Sequence, residues 1–265
     1  MGEAKRRHKS GRLRRLAAPP APAPLGKLMI PAGVGRPSPE SAAHLLAVAE
    51  RVRALTREKL LTGSAGGSLE TMLAAIEAAG ARTVEAFEDE LRARLAGDAS
   101  ARAEMERVQC RRGCAFCCHV DVVVTPLEAI RLAGAMRRGD VPDRRAAAQG
   151  KRTRNAPCAL LIDNVCSAYV LRPFACRALF SPDVAACEAG FAAEGAGGAP
   201  AFVPSLDWPR LLAAGFISGE AAALDDLSLA SHLVELRGAL ALADEANLVR
   251  WLAGADVFPR VAARG

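Results

Sequence analysis

The sequence predicts a mainly α protein in which helical arms flank a compact, loop-rich module built around cysteine. Three observations carry this expectation. Alanine supplies 57 of 265 residues and aromatic side chains only 4%, so the 51% apolar fraction consists mostly of small helix formers. Apolar residues recur at helical spacing in stretches opened by capping residues. All eight cysteines fall within the 78 residues from Cys110 to Cys187, and none among the other 187. A chain of this length and apolarity can bury a sizeable core and forms one or two domains.

Residues 1–37 combine a basic run with a Pro/Ala/Gly-rich stretch and read as a disordered arm. The helical segment 38–108 opens at Ser38, a capping residue followed by Pro39 at the first helical position, and continues through Leu45, Val48, Val52 and Leu55. A Gly/Ser break from Gly63 to Gly67 ends this stretch. Ser68 opens the next helix, with Leu69, Met72, Leu73 and Ile76 on one stripe. Val84, Phe87, Leu91 and Leu95 form another after Gly80, while Glu88 with Arg92 and Glu90 with Arg94 stand four apart on the outer side. Within the cysteine block, 109–190, Thr125-Pro126-Leu127-Glu128 reads as a capping box that starts a helix through Ile130, Leu132 and Met136 and ends near Gly139. A basic connection from Arg144 to Arg154 leads to the second group of cysteines. The C-terminal segment, 200–258, is expected to be helical, with Leu229, Leu233, Leu236 and Leu240 on one stripe and Trp251 and Leu252 in the core.

The net charge of +6 resides entirely in residues 1–15, where Lys5, Arg6, Arg7, Lys9, Arg12, Arg14 and Arg15 face a single acid, Glu3; the remainder holds 28 basic and 28 acidic groups. A neutral body argues against a nucleic-acid-binding fold. The arm alone offers a weak contact to nucleic acid or an acidic protein, beside the plainer reading of a solvated tail. No run approaches the roughly 20 apolar residues of a membrane span. Pro19, Pro20, Pro22 and Pro24 interrupt the stretch after the basic run, so no export signal is read. The expected location is cytoplasmic. Under reducing conditions clustered cysteines serve as metal ligands or redox groups more readily than as disulfides.

The first cysteine group is Cys110-Arg-Arg-Gly-Cys114-Ala-Phe-Cys117-Cys118-His119, and the second is Cys158, Cys166, Cys176 and Cys187. Cys114 and Cys117 have the spacing of a metal knuckle, and Gly113 supplies the freedom its turn requires. Four thiolates from two segments suit zinc or iron, an iron–sulfur cluster included. Ordinary buried cysteines would be scattered, not confined to under a third of the chain. One four-thiolate site with spare thiols and two such sites are both open, and Cys117-Cys118 suits neighbouring ions.

These residues, with Pro157-Cys158, Cys166-Ser167-Ala168-Tyr169, Arg172-Pro173 and Cys176-Arg177, resemble the YkgJ-type cysteine-cluster family, described as a zinc- or iron-chelating domain. The resemblance covers about residues 109–187, with Cys187 similar to the cysteine that closes the motif. It implies metal chelation, and a related flagellin lysine methylase associates such a region with an iron–sulfur cluster; the pattern does not fix the ligand set. Cys110-x3-Cys114-x2-Cys117 also meets the radical-SAM spacing, but without the recurring strands that class requires. Arg172 and Arg177 are expected to donate hydrogen bonds to thiolates, Tyr169 to cover the site, and His119 to lie in an exposed loop. A chelating module is the leading expectation, followed by an iron–sulfur enzyme of methyl-transfer or redox type.

Overall fold

The computed structural model describes residues 13, 15–17, 22–149, 156–197 and 203–261. It is mainly helical. The basic residues Lys5, Arg6, Arg7, Lys9, Arg12 and Arg14 lie outside the described residues, and the expectation for the arm's first part lies there with them.

Two long helices, α1 (Pro39–Ala65) and α2 (Leu69–Gly97), form an antiparallel pair; Gly63 stands beside Ala75 at the turn end and Arg51 beside Glu90 at the other. Ser38 caps α1 by accepting the Ser41 N–H, and Ser68 forms a reciprocal capping box with Thr71. Ser68→Ala should cost about 1 kcal/mol by leaving an end N–H without its partner, read as a small fall in thermal midpoint. α2 runs unbroken through Gly80, over which the Arg131 side chain packs. The expected Glu88–Arg92 and Glu90–Arg94 pairs do not form: Glu88 meets Arg177, Glu90 meets His44 and Arg51, Arg92 pairs with Asp89 and Arg94 with Asp98. The acids face neighbouring elements, and tertiary partners displace an i,i+4 pair worth only about 0.2–0.5 kcal/mol.

After α3 (Ala99–Glu106) come β1 (Val123–Val124), α4 (Pro126–Arg138), α5 (Arg145–Gln149) and a hairpin of β2 (Leu161–Ile162) and β3 (Val165–Cys166). Short helices α6 (Phe174–Arg177) and α7 (Val184–Gly195) precede the long α8 (Asp207–Asp226), then β4 (Val234–Glu235), α9 (Leu236–Leu242) and α10 (Glu245–Leu252). The α4 boundaries agree closely with the sequence reading: Thr125 and Glu128 cap each other's backbone, and Gly139 terminates the helix at φ 81°, a left-handed conformation suited to glycine.

One continuous core joins segments the sequence separates. Met72 and Ile76 of α2, Ile130 and Leu132 of α4, Leu224 of α8, Leu236 and Leu240 of α9 and Trp251 of α10 are all buried together. α4 is buried on nearly every side, so it needs partners from both flanking segments. β1 pairs with β4 antiparallel, Val123 opposite Glu235 and Val124 opposite Val234, tying the cysteine block to the C-terminal segment. Leu229 and Leu233 are not helical; the chain turns through Ser228 at φ 54° and reaches β4 before α9 starts. Leu229 is buried in a loop and Leu233 is partly buried just before β4, so their spacing does not mark one helical face.

Residues 22–37 lack regular structure yet lie against the body. The Met29 N–H donates to Ser218 Oγ at 2.8 Å, and Arg53 donates to the Ala23 carbonyl at 2.8 Å while forming a two-pronged bond to Asp226 at 2.8 and 2.6 Å. Backbone groups of this proline-rich stretch thus meet buried side chains of the helical body. No helix among the described residues is long and apolar enough to cross a membrane.

A second cluster stacks Phe87 of α2, Phe174 of α6 and Phe216 of α8, with ring centroids 5.1 to 5.4 Å apart. α6 carries Cys176, so this aromatic trio fixes one of the candidate ligands to the helical body.

Candidate metal centre

The first cysteine segment is shaped by two tight turns. Gly113 at φ 90° lets the Cys114 N–H reach the Arg111 carbonyl at 3.0 Å, and a 3-10 turn over Phe116–His119 comes next, with the Cys118 N–H on Ala115. The Cys158 N–H donates to the Cys118 carbonyl at 2.7 Å, joining the two cysteine groups through the backbone. Leu161 pairs with Cys166 across the β2–β3 hairpin, whose turn places Asp163 and Asn164 at φ 49° and 59°, as a two-residue primed turn requires. Cys176 lies on α6, whose first N–H, from Phe174, donates to Glu128 Oε1 at 2.7 Å. The side chain that caps α4 thereby also holds the start of α6.

These contacts bring Cys110, Cys114, Cys117, Cys118, Cys158, Cys166 and Cys176 to the walls of one cleft of about 480 Å³. Cys187, buried on α7, does not line this cleft and is linked to it through Ser181, whose Oγ stands 3.2 Å from Cys187 Sγ and whose N–H donates to Cys110 Sγ at 3.1 Å. All eight are free thiols. Among the described residues no group of three or more His, Cys, Asp or Glu side chains is arranged to hold a metal ion as it stands.

Charge is unevenly divided among the sulfurs. Cys117 is drawn down to about 7, chiefly because the Cys118 thiol donates to its sulfur, with the Arg172 charge assisting and burial opposing. Cys118 is correspondingly pushed up, since it keeps the proton it donates, and burial adds to this. Burial raises Cys158 to about 11 and also raises Cys114, Cys166, Cys176 and Cys187. One thiolate near neutrality surrounded by reluctant thiols is a set that a cation would deprotonate on binding.

The arginines differ from expectation. Arg177 donates to the Arg172 carbonyl at 2.8 Å, to the Val170 carbonyl and to Glu88 at 3.1 Å, so it clamps the 169–172 turn to α2 and its donors do not go to thiolates. The carbonyls of that turn need partners more than the protonated sulfurs do. Arg172 lies 3.7 Å over the ring of Tyr169, and its positive charge reaches Cys117 and Cys166. Tyr169 lines the cleft but is half exposed. His119 packs against Phe191, ring centroids 4.6 Å apart, and is partly buried where an exposed loop is expected.

Ser181 and Glu128 are the site-building residues that sequence reasoning missed. Ser181-Pro182-Asp183 carries a helix-start signature, and Asp183 does cap α7, but nothing in it announces a contact to two cysteines. No family model, curated protein or solved structure matches this chain. The described strands, four pairs of residues in two small antiparallel sheets, provide no parallel β/α barrel for the radical-SAM spacing.

Proposed function

We propose that this chain binds a soft or borderline metal, zinc or iron, through its clustered cysteine thiolates, as its resemblance to the YkgJ-type family implies. One observation carries the reading: cysteines from residues 110–118 and from 158–176, some forty positions apart, line the same cleft. The donor chemistry fits the group. Sulfur-rich walls select zinc or iron over hard cations, which prefer oxygen. A bound zinc would cross-link the loops; an iron–sulfur cluster would add redox capacity. The chain's own residues hold the frame: Glu128 positions α6, Ser181 joins Cys110 to Cys187, and Arg172 offsets thiolate charge.

The test is anaerobic purification with elemental analysis, sulfide assay and a visible spectrum. A colourless protein carrying zinc supports a structural or chelating role, and a brown one carrying iron and sulfide supports a cluster. Cys114→Ser and Cys176→Ser should each lower bound metal. Wild-type protein that neither retains nor takes up zinc or iron would overturn the proposal, as would unchanged content in both variants. Because raised thiols must lose protons to coordinate, affinity should fall as pH drops below 7, checked by competition with a metallochromic chelator.

A further inference from the structure

We infer that the eight cysteines are divided between two adjacent metal centres, an outer one of Cys110, Cys114, Cys117 and Cys187 and an inner one of Cys118, Cys158, Cys166 and Cys176. This deepens the metal-binding reading and rests on it.

Hydrogen bonding separates the groups. Ser181 gathers the outer set, with its N–H on Cys110 Sγ at 3.1 Å and its hydroxyl 3.2 Å from Cys187 Sγ. Cys114 comes one turn after Cys110, its N–H on the Arg111 carbonyl at 3.0 Å. α7 holds Cys187 in place by packing Phe191 on Phe116, ring centroids 5.9 Å apart. The inner set is tied together independently. The Cys158 N–H donates to the Cys118 carbonyl at 2.7 Å, the hairpin sets Cys166 across from Leu161, and α6 carries Cys176.

Cys117 and Cys118 form the boundary. They lie in a 3-10 turn, where successive side chains diverge by about 120°. That geometry sends neighbouring sulfurs toward different ions while leaving them in contact. The surroundings also differ: Cys158, Cys166 and Cys176 pack against the main apolar core, whereas in the outer set Cys187 is buried but Cys110 is exposed and opens that side to solvent. Electrostatics supports two charges, not one. Eight thiolates around two divalent ions retain four negative charges, and four arginines, Arg111, Arg112, Arg172 and Arg177, line the same cleft, the last shared with Glu88. The outer ion should therefore exchange faster than the inner.

The experiment loads the full-length chain with cobalt(II) under reducing, anaerobic conditions and tracks the sulfur-to-cobalt absorption band together with elemental analysis. Two cobalt ions per chain are expected, one released first by a chelator. Cys110→Ser or Cys187→Ser should retain only the slow ion, and Cys166→Ser only the fast one. Cys110 is exposed, so its variant keeps the fold, with far-ultraviolet circular dichroism as the control. One ion per chain that survives both outer-set variants would overturn the division yet leave metal binding standing. Loss of both ions from a folded Cys110→Ser chain would also overturn it, by showing one undivided centre. A wild-type chain that binds no cobalt, zinc or iron would sink both readings.

Discussion

Gly219→Ala is expected to destabilise the protein by about 3 kcal/mol, seen as a thermal midpoint roughly 6–12 °C lower. α8 runs along α1 with Gly215 and Gly219 against its backbone, and a Cβ at Gly219 would lie 2.4 Å from the Ala49 carbonyl oxygen and 2.7 Å from Val52 Cβ. Neither is the free end of a flexible side chain, so the helices must part. Parting them also disturbs the two-pronged Arg53–Asp226 bond, in which both side chains are under a tenth exposed, and an imperfectly paired buried charge is costly. The same substitution at Gly134 in α4 meets only the tip of Arg138 at 3.4 Å, so there the intrinsic helix preference for alanine should stabilise by up to about 1 kcal/mol. Opposite signs for one chemical change would identify close helix approach as the cause. A loss under 1 kcal/mol at Gly219 would mean that this interface is looser than its geometry implies.

The capped helices are the part of this fold most readable from sequence, because their signals are local. Ser38-Pro39, Ser68 and Thr125-Pro126-Leu127-Glu128 each satisfy end N–H groups within four residues, and each opens a helix where expected. α8 sends a weaker signal. From Pro209 to Ala221 only Arg210 and Leu211 escape burial, and a helix enclosed on all sides has no stripe to reveal its period. The expected stripe from Leu229 to Leu240 fails for the converse reason: two leucines in a loop and two in α9 imitate one helical face by coincidence. The hairpin at Asp163-Asn164 is too short, at two residues a strand, for alternation to show.

At the candidate site the residue types are legible in the sequence and the supporting bonds are not. Confinement of eight cysteines to 78 residues points to the chemistry. It says nothing of Ser181 bridging Cys110 and Cys187, nor of Glu128 reaching across 46 positions to Phe174. Both are contacts between a side chain and distant backbone or sulfur, set by the packing of α4, α6 and α7. Arg177 makes the same point in reverse. Its position next to Cys176 suggests a partner for sulfur, yet carbonyls at Val170 and Arg172 claim its donors first.

Glu220→Gln is expected to stabilise the protein by roughly 2–4 kcal/mol at pH 8.5 while changing little at pH 4.5. Glu220 and Glu128 are both buried and both contact Thr125: Glu128 accepts the Thr125 and Phe174 N–H groups, whereas Glu220 receives only hydroxyls, from Thr125 at 2.7 Å and Thr83 at 3.4 Å. Burial raises both carboxyls, but two backbone N–H donors oppose the rise at Glu128, so the proton is assigned to Glu220. Burial, reinforced by the Glu128 charge, raises Glu220 to about 8 from an ordinary value near 4.5. A raised carboxyl binds more protons folded than unfolded. Its stabilising contribution is therefore complete below about pH 4.5 and is lost as pH climbs through about 8. Glutamine is neutral throughout, keeps a carbonyl to accept from Thr125, and removes that loss. The measurement is the variant-minus-wild-type difference in thermal midpoint from pH 4.5 to 8.5, in which titration of the cysteines cancels. It should rise by roughly 5–15 °C across the window. A flat difference would place the proton on Glu128 instead, and would leave its bond to the Phe174 N–H, which holds α6 and hence Cys176, without the carboxylate charge.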